Sequence, residues 1–267
     1  MPLAGRGVKS FLLLPIFLKQ GLSGIVSLGF LDPTVPSQED VTQARQLADQ
    51  VGVALSNASL IEELDQLYWQ TVAALARAID AKSHWTLGHS ERVAKLAIKI
   101  GRVLGLSSKE LDALHRGALL HDIGKIGVPT AILDKPGKLT DEETRVIRTH
   151  PRAGARILEP ITGYAEVVPI VLQHHERYDG LGYPDGVAGE AISLGGRILA
   201  VADVFDALIS DRPYRAAWER ERVIEYIDHE AGHHFDPKAV QAFLSVMAEE
   251  ERESEGRTAP TPSLVAS

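Results

Sequence analysis

The chain contains no cysteine. That excludes disulfides, thiolate nucleophiles and Cys-ligated zinc or iron–sulfur sites, and leaves histidine and carboxylate as the plausible metal ligands. It also fits a reducing, cytoplasmic location. Long apolar runs are missing as well: the longest, Phe11 to Leu18, is broken by Pro15 and closed by Lys19, too short for a membrane span. Arg6 and Lys9 precede it as charges precede a signal-peptide core, but no small-residue cleavage site follows. Positive charge is in deficit, with 28 Lys and Arg against 36 Asp and Glu and a formal net charge of −8. A nucleic acid polymer is therefore not the expected partner, because phosphate backbones need extended basic surfaces. A small anionic ligand stays open wherever local cations or metals can receive it.

With 267 residues the chain can bury a sizeable core, in one large domain or two small ones. Ser10 to Leu18 and Gly24 to Phe30 read as two strands of a hairpin, with Gln20-Gly21 at the turn. Ser37 suits an N-cap, with Asp40 three residues on, and Ala44, Leu47, Val51, Ala54 and Ala58 keep helical spacing behind it. From Leu60 the pattern runs through Leu64, Leu67, Thr71, Ala74 and Ala78 in a 4-3-4-3-4 rhythm, a narrow stripe. Such a stripe suits a parallel homodimer through residues 60–80, or one side of a helix laid on the following domain.

Ionisable residues then fall on apolar helical faces. His89 opens a helix whose inner face continues through Val93, Leu96, Ala97, Ile100 and Leu104, with Gly105 as its stop. The next helix begins with a capping box at Ser107 and Glu110, buries Leu111, Leu114 and Ala118, and delivers His121-Asp122 one turn later. Adjacent helical residues diverge by about 100°, so His121 can serve one metal while the two oxygens of Asp122 reach a second. Gly124 ends this helix and presents Lys125. Thr140 and Glu143 form another capping box, after which Val146, Ile147 and His150 share a face and Pro151 ends or restarts the helix. Val167 to Gln173 is an apolar helical run closed by His174-His175-Glu176, and adjacent histidines there are hard to explain as packing. Asp179 to Gly186 is a glycine-rich loop carrying Tyr183. Ser193 caps a helix in which Asp203 sits in an otherwise hydrophobic run and needs a metal or cation, with Asp206 one turn on and Arg212 and Arg215 near its end. His229, His233 and His234 read as structural or exposed.

His89, His121, Asp122, His150, His174, His175 and Asp203 together supply five imidazoles and two carboxylates from five helices. A set this large suggests two metals sharing a carboxylate. Nitrogen and oxygen donors without sulfur suit iron or manganese, with zinc, cobalt or nickel as further options. Two ions roughly 3.5–4 Å apart can hold a hydroxide nucleophile and a phosphodiester for in-line attack. Phosphodiester hydrolysis is therefore the natural chemistry.

At these residues the chain resembles the HD-GYP domains, helical hydrolases that cleave the bacterial messenger cyclic di-GMP. The resemblance is carried by His89-Ser-Glu-Arg-Val93, His121-Asp-Ile-Gly-Lys125, Thr149-His-Pro151, His174-His-Glu176, Gly182-Tyr-Pro184, Asp203-Val-Phe-Asp206 and Arg212-Pro-Tyr-Arg215. It implies that His89, His121, Asp122 and Asp203 hold one metal and that Asp122, His150, His174 and His175 hold the other. It implies further that Lys125 positions or neutralises the scissile phosphate, giving Asp122 and Lys125 catalytic roles, and that Lys125, Tyr183, Arg212 and Arg215 contact the dinucleotide. Glu176 and Asp206 would orient histidines or support the fold. Trp85 stands where members with a third metal carry a glutamate, which argues for two ions, and Ser83 stands where other members place an aspartate.

The expected activity is hydrolysis of cyclic di-GMP to pGpG, GMP or both. The alternatives are another cyclic dinucleotide as substrate, or a non-catalytic receptor or interaction module with a partner such as a diguanylate cyclase. The fold class is mainly α: an HD-domain helical bundle preceded by a short β-hairpin plus helix. The runs Gly24 to Gly29 and Leu47 to Val51 resemble the end of a GAF domain, although a plain hairpin-plus-helix accounts for them equally. The expected organisation is a GAF-like C-terminal fragment at 1–59, a linker helix at 60–82, an HD-GYP domain at 83–250 and a disordered, charged then Pro/Ser/Thr-rich tail at 251–267. The truncated GAF-like start implies that a regulatory part was lost, or that translation or gene calling began late.

Overall fold

A computed structural model describes residues 7–18, 21–83, 85–211 and 215–258, so Arg212 lies outside the described residues. The chain divides into two units, residues 1–70 and 71–267.

In the first unit, strands β1 (Ser10–Leu18) and β2 (Gly21–Phe30) pair antiparallel, Ser10 opposite Phe30, with an irregularity at Ile16/Phe17. Alternation buries Leu14 and Ile16 and leaves Phe11, Leu13 and Phe17 exposed. Helix α1 (Gln38–Asp80) starts from the expected cap: Ser37 Oγ accepts from the Asp40 amide, and Asp40 accepts from the Ser37 amide. Its buried face corrects the expected one. Ala44 and Ala48 pack on Leu14, while Leu47 and Val51 are exposed, because the small side chains let the hairpin lie close. Residues 38–80 form one continuous helix across the expected boundary at 59/60.

The second unit begins with the end of α1, whose Val72 and Ala76 are buried. It continues with α2 (His89–Val103), α3 (Ser108–Leu120), a 3-10 turn (Ile123–Gly127), the short α4 (Thr130–Leu133), α5 (Asp141–Ile147), α6 (His150–Leu158), α7 (Val167–Gln173), α8 (Leu194–Ile209), α9 (Arg220–His229) and α10 (Pro237–Thr258). Both capping boxes form, at Ser107/Glu110 and at Thr140/Glu143. The core lies where α2, α3, α7 and α8 meet, around Val93, Ile100, Leu114, Val171 and Ile198. Phe205 of α8 meets Phe243 of α10 edge-on at 5.1 Å and seals it from α10's side.

Two expectations are corrected. Val146 is exposed and does not share an inner face with His150, because α5 stops at Ile147 and α6 restarts with Pro151 in its first turn. Residues 251–258 of the expected tail continue α10 as helix, and 259–267 lie outside the described residues.

Candidate metal centre

His121, His150 and His174 are placed by one repeated local device. Each sits at a helix end and turns its Nδ1 to the carbonyl three residues earlier: Ala118 at 2.7 Å, Ile147 at 2.8 Å and Val171 at 2.7 Å. A carbonyl can only accept, so Nδ1 carries the proton and Nε2 is left as a lone pair. Carbonyls at helix C-termini lack helical partners, so a histidine placed just past the last turn of a helix finds an acceptor for its Nδ1 and leaves its Nε2 free. His89 opens α2 and has no such carbonyl. Its Nδ1 meets Asp206 Oδ2 at 2.7 Å, and Arg92 grips the same carboxylate with Nε at 2.6 Å and Nη2 at 2.9 Å.

The free faces converge. His89 Nε2 is 3.2 Å from Asp203 Oδ1, His121 Nε2 is 3.4 Å from Asp122 Oδ2, and His150 Nε2 is 3.3 Å from Asp122 Oδ1. His150 Nε2 also faces His174 Nε2 at 3.2 Å. His175 Nδ1 approaches Asp203 Oδ2 at 3.9 Å. Three overlapping triads bring their donor atoms within 4.8 Å of one another: His150, His174 and His175; His89, His121 and Asp203; His121, Asp122 and His174. All seven sequence-derived ligands are thus in one cluster, split into a His89/Asp203 side and a His150/His175 side, with His121, Asp122 and His174 between.

Two of these atoms, His121 Nε2 and Asp122 Oδ1, are fully buried without a hydrogen-bond partner. Such orphans cost free energy unless something fills the space among them. Acceptor atoms gathered face to face suit a cation, and this nitrogen and oxygen donor set fits a divalent metal.

The electrostatics agree. Burial lowers His150 to about 4 and His175 to about 3, and burial with neighbouring imidazoles holds His174 well below its ordinary value, so all three are neutral at pH 7. Burial acts against ionisation of Asp122, but Lys125 and the surrounding imidazoles override it and keep the carboxyl well below the usual range. Asp203 is also held low, where His89 and His121 override burial. His89 is the exception: Asp203 and Asp206 outweigh its burial and raise it to about 9, so without a metal its Nε2 carries a proton toward Asp203 that a bound cation would displace.

Lys125 Nζ sits 2.5 Å from Asp122 Oδ2. Its backbone is pinned by a residue the sequence reading missed: Lys82 Nζ donates to the carbonyls of Lys125 and Ile126 at 2.7 and 2.6 Å. Gly124 does more than end a helix. A Cβ there would lie 1.9 Å from the His150 carbonyl oxygen, so its absence lets α6 dock against the turn that carries Asp122 and Lys125. A 160 Å³ cavity opens onto Asp122 and Lys125, and on its wall Ser83 Oγ donates to Asp134 Oδ1 at 2.6 Å, bringing a carboxylate to the Ser83 position. A larger cavity of 840 Å³ reaches Arg92 and Asp206 from behind, away from the metal-facing atoms.

Tyr183 lies over His175, ring centroids 4.8 Å apart. Its loop is held by Glu176, whose Oε1 accepts from the amides of Asp185 and Gly186 at 2.7 and 3.1 Å. Burial pushes the Tyr183 phenol well up, with Asp203 and Asp122 adding to the shift, so it keeps its proton. Arg215 lies just beyond the end of α8. Its guanidinium donates to the carbonyls of Ala207, Leu208 and Ala216 at 2.7–3.1 Å, clamping the end of α8, and no hydrogen bond or ion pair among the described residues joins it to the cluster.

The sequence model of the HD domain family matches residues 73–239. Over 194 residues the chain is 43% identical to a cyclic di-GMP phosphodiesterase response regulator, RpfG of Xanthomonas campestris, covering 72% of this chain and 51% of that protein. It is 42% identical over 185 residues to the 3'3'-cGAMP-specific phosphodiesterase 3 of Vibrio cholerae, covering 69% and 40%. A cyclic di-GMP phosphodiesterase of Pseudomonas aeruginosa matches at 39% over 226 residues, covering 84% and 51%. The chain spans about half or less of the length of these relatives. The solved structure of a cyclic GMP-AMP-specific phosphodiesterase of Vibrio cholerae superposes with a TM-score of 0.55 at 23% identity, over 71% of this chain and 50% of that one, a likeness of fold.

Proposed function

The chain belongs to the HD domain family, and we propose that it is a metal-dependent phosphodiesterase that opens cyclic di-GMP to pGpG, GMP or both. The observation that carries this reading is the fully buried pair His121 Nε2 and Asp122 Oδ1, unpartnered among further lone pairs in an arrangement that suits a divalent cation. Two divalent ions are proposed, iron or manganese first, on the nitrogen and oxygen donor set. His89, His121, Asp122 and Asp203 would hold one, and Asp122, His150, His174 and His175 the other. Bound there, the ions would supply an activated water and charge neutralisation at phosphorus.

The chain's own residues supply the rest. Asp206, held by Arg92, fixes the ring of His89. Lys125, anchored through its backbone by Lys82, puts an ammonium beside Asp122 where it meets the non-bridging oxygens of the scissile phosphate. Tyr183 walls the site over His175 and offers a phenol proton to the dinucleotide. In the reaction, water adds its oxygen to phosphorus, the P–O3′ bond breaks, and a proton passes to the departing 3′ oxygen. Opening one linkage gives pGpG; opening both gives GMP.

The reading includes a homodimer through residues 60–80. Leu60, Leu64 and Leu67 are exposed, and the buried positions Val72 and Ala76 lie on a different face of α1. No helix among the described residues is long and apolar enough to cross a membrane, which is compatible with the proposed cytoplasmic location. A diguanylate cyclase partner rests on the family resemblance alone.

A second substrate, 3'3'-cGAMP, is favoured by the 42% identity to a relative named as specific for it. The test is turnover of both dinucleotides by protein reconstituted anaerobically with iron(II) or manganese(II), products resolved by chromatography, beside a His121→Ala/Asp122→Ala control. Turnover absent from the control supports the reading and names the product. Two bound metals with every cyclic dinucleotide inert would overturn it in favour of a receptor.

A further inference from the structure

Tyr183 also lines a third cavity, 520 Å³ in volume, together with Arg145, Arg148, Arg152, Arg156 and Thr149. No acidic residue lines it. Four guanidiniums on one wall are unexpected in a chain of net charge −8, because like charges gathered together repel unless an anion visits them. Two of the four are already engaged: Arg145 pairs with Glu142 at 2.7 Å, and Arg152 with Asp185 of the Tyr183 loop. Arg148 and Arg156 have no ion-pair partner among the described residues. Arg148 instead lies over the Tyr183 ring, 5.1 Å from its centroid, and the same ring neighbours His175 of the cluster at 4.8 Å. Tyr183 is therefore shared by the candidate metal cluster and by a cavity that holds two guanidiniums without an ion-pair partner among the described residues.

We infer that this cavity is a second anion subsite, in which Arg148 and Arg156 receive the phosphodiester that is not being attacked. The inference rests on the proposed phosphodiesterase reading and adds to it a reason for preferring a ring with two phosphates. A cyclic dinucleotide carries its phosphates on opposite sides of one macrocycle, so a substrate straddling Tyr183 places one at the metals and the other among the arginines. Guanidinium forks match phosphate oxygens bidentately. A diester with one phosphate leaves this subsite empty.

The experiment compares cyclic di-GMP with bis(4-nitrophenyl) phosphate, a single-phosphate diester, on the metal-loaded 267-residue chain. For Arg148→Gln, the ratio of kcat/KM on the dinucleotide to that on the single-phosphate diester is expected to fall at least tenfold. For Arg156→Gln it falls severalfold, with the loss in KM in both variants. A ratio within twofold of wild type in both variants, whether both rates hold or both drop together, overturns the subsite and leaves the phosphodiesterase reading standing. Wild-type protein that cleaves the single-phosphate diester but no cyclic dinucleotide removes the substrate reading, and this subsite with it.

Discussion

His150 and His174 face each other Nε2 to Nε2 at 3.2 Å, each with its only ring proton committed to a backbone carbonyl. Neither can donate to the other, so the pair is a repulsive contact in the metal-free chain and an attractive one around a cation. Metal binding is therefore expected to be a large contribution to stability. At a free metal concentration 100 times Kd, mass action stabilises the folded state by about 2.7 kcal/mol, and in a domain of this size that raises Tm by roughly 5–10 °C. Thermal melts with manganese(II) and with excess chelator check this. His174→Ala should abolish the metal-dependent rise, and a rise unchanged in that variant would place the metal elsewhere.

The Asp206 carboxylate touches no metal-facing atom except through His89, yet it fixes which way that ring points. Asp206→Asn is expected to weaken metal affinity 10–100-fold. Arg92→Ala should give a smaller loss, because Asp206 keeps its bond to His89. Competition titration against a metal-chelating dye separates the two. Equal affinities in wild type and Asp206→Asn would make Asp206 a purely structural partner of Arg92.

Gly124 allows a contact between the 3-10 turn and α6 that no other residue permits. Gly124→Ala drives a methyl group to within 1.9 Å of the His150 carbonyl, and backbone on both sides leaves nowhere to yield. The expected cost is about 3 kcal/mol or more, read as a lowered urea midpoint, with metal affinity falling as His150 moves. Gly127→Ala is the control, since a Cβ there meets nothing within 4 Å. Equal midpoints for the two variants would mean that the close approach relaxes at little cost.

The cluster was readable because most of the candidate ligands, though not His150, lie on or at the end of an apolar helical run, where a buried imidazole or carboxylate demands a partner. The capping boxes at Ser107 and Thr140 fixed where two of those helices begin and hence which way their ends aim. What could not be read were contacts between distant segments. Lys82 reaching the carbonyls of Lys125 and Ile126, and Arg92 gripping Asp206, look in sequence like ordinary solvated charges. Arg145, Arg148, Arg152 and Arg156 did carry a signal, a 3-4-4 spacing that repeats on one helical face. The break between α5 and α6 obscures it, since no single helix carries all four arginines. On α1 the periodicity was right in kind and wrong in phase, because Ala44 and Ala48, the small residues, mark the close face better than Leu47 and Val51.

The loop that carries Tyr183 has an acid sensitivity of its own, separate from the metal ligands. Arg177 forks onto Asp179, with Nη2 at 2.6 Å from Oδ2 and Nε at 3.0 Å from Oδ1, and Asp179 also accepts from the Leu181 amide at 3.0 Å. The guanidinium bonds, with the amide, outweigh burial and lower the Asp179 carboxyl to about 2. A folded-state value below the unfolded one, about 3.9, means that the carboxylate's contribution is fully present above that unfolded value and is lost as pH falls from there toward 2. Asp179→Asn should therefore be less stable than wild type at pH 6, with the difference shrinking as pH drops from 4 to 2. Urea unfolding of both proteins in excess chelator, so that metal release does not intrude, measures the gap at each pH. A difference that stays constant across that range would mean that the Arg177 fork does not hold the carboxylate in solution, and that the loop is kept in place by Glu176 alone.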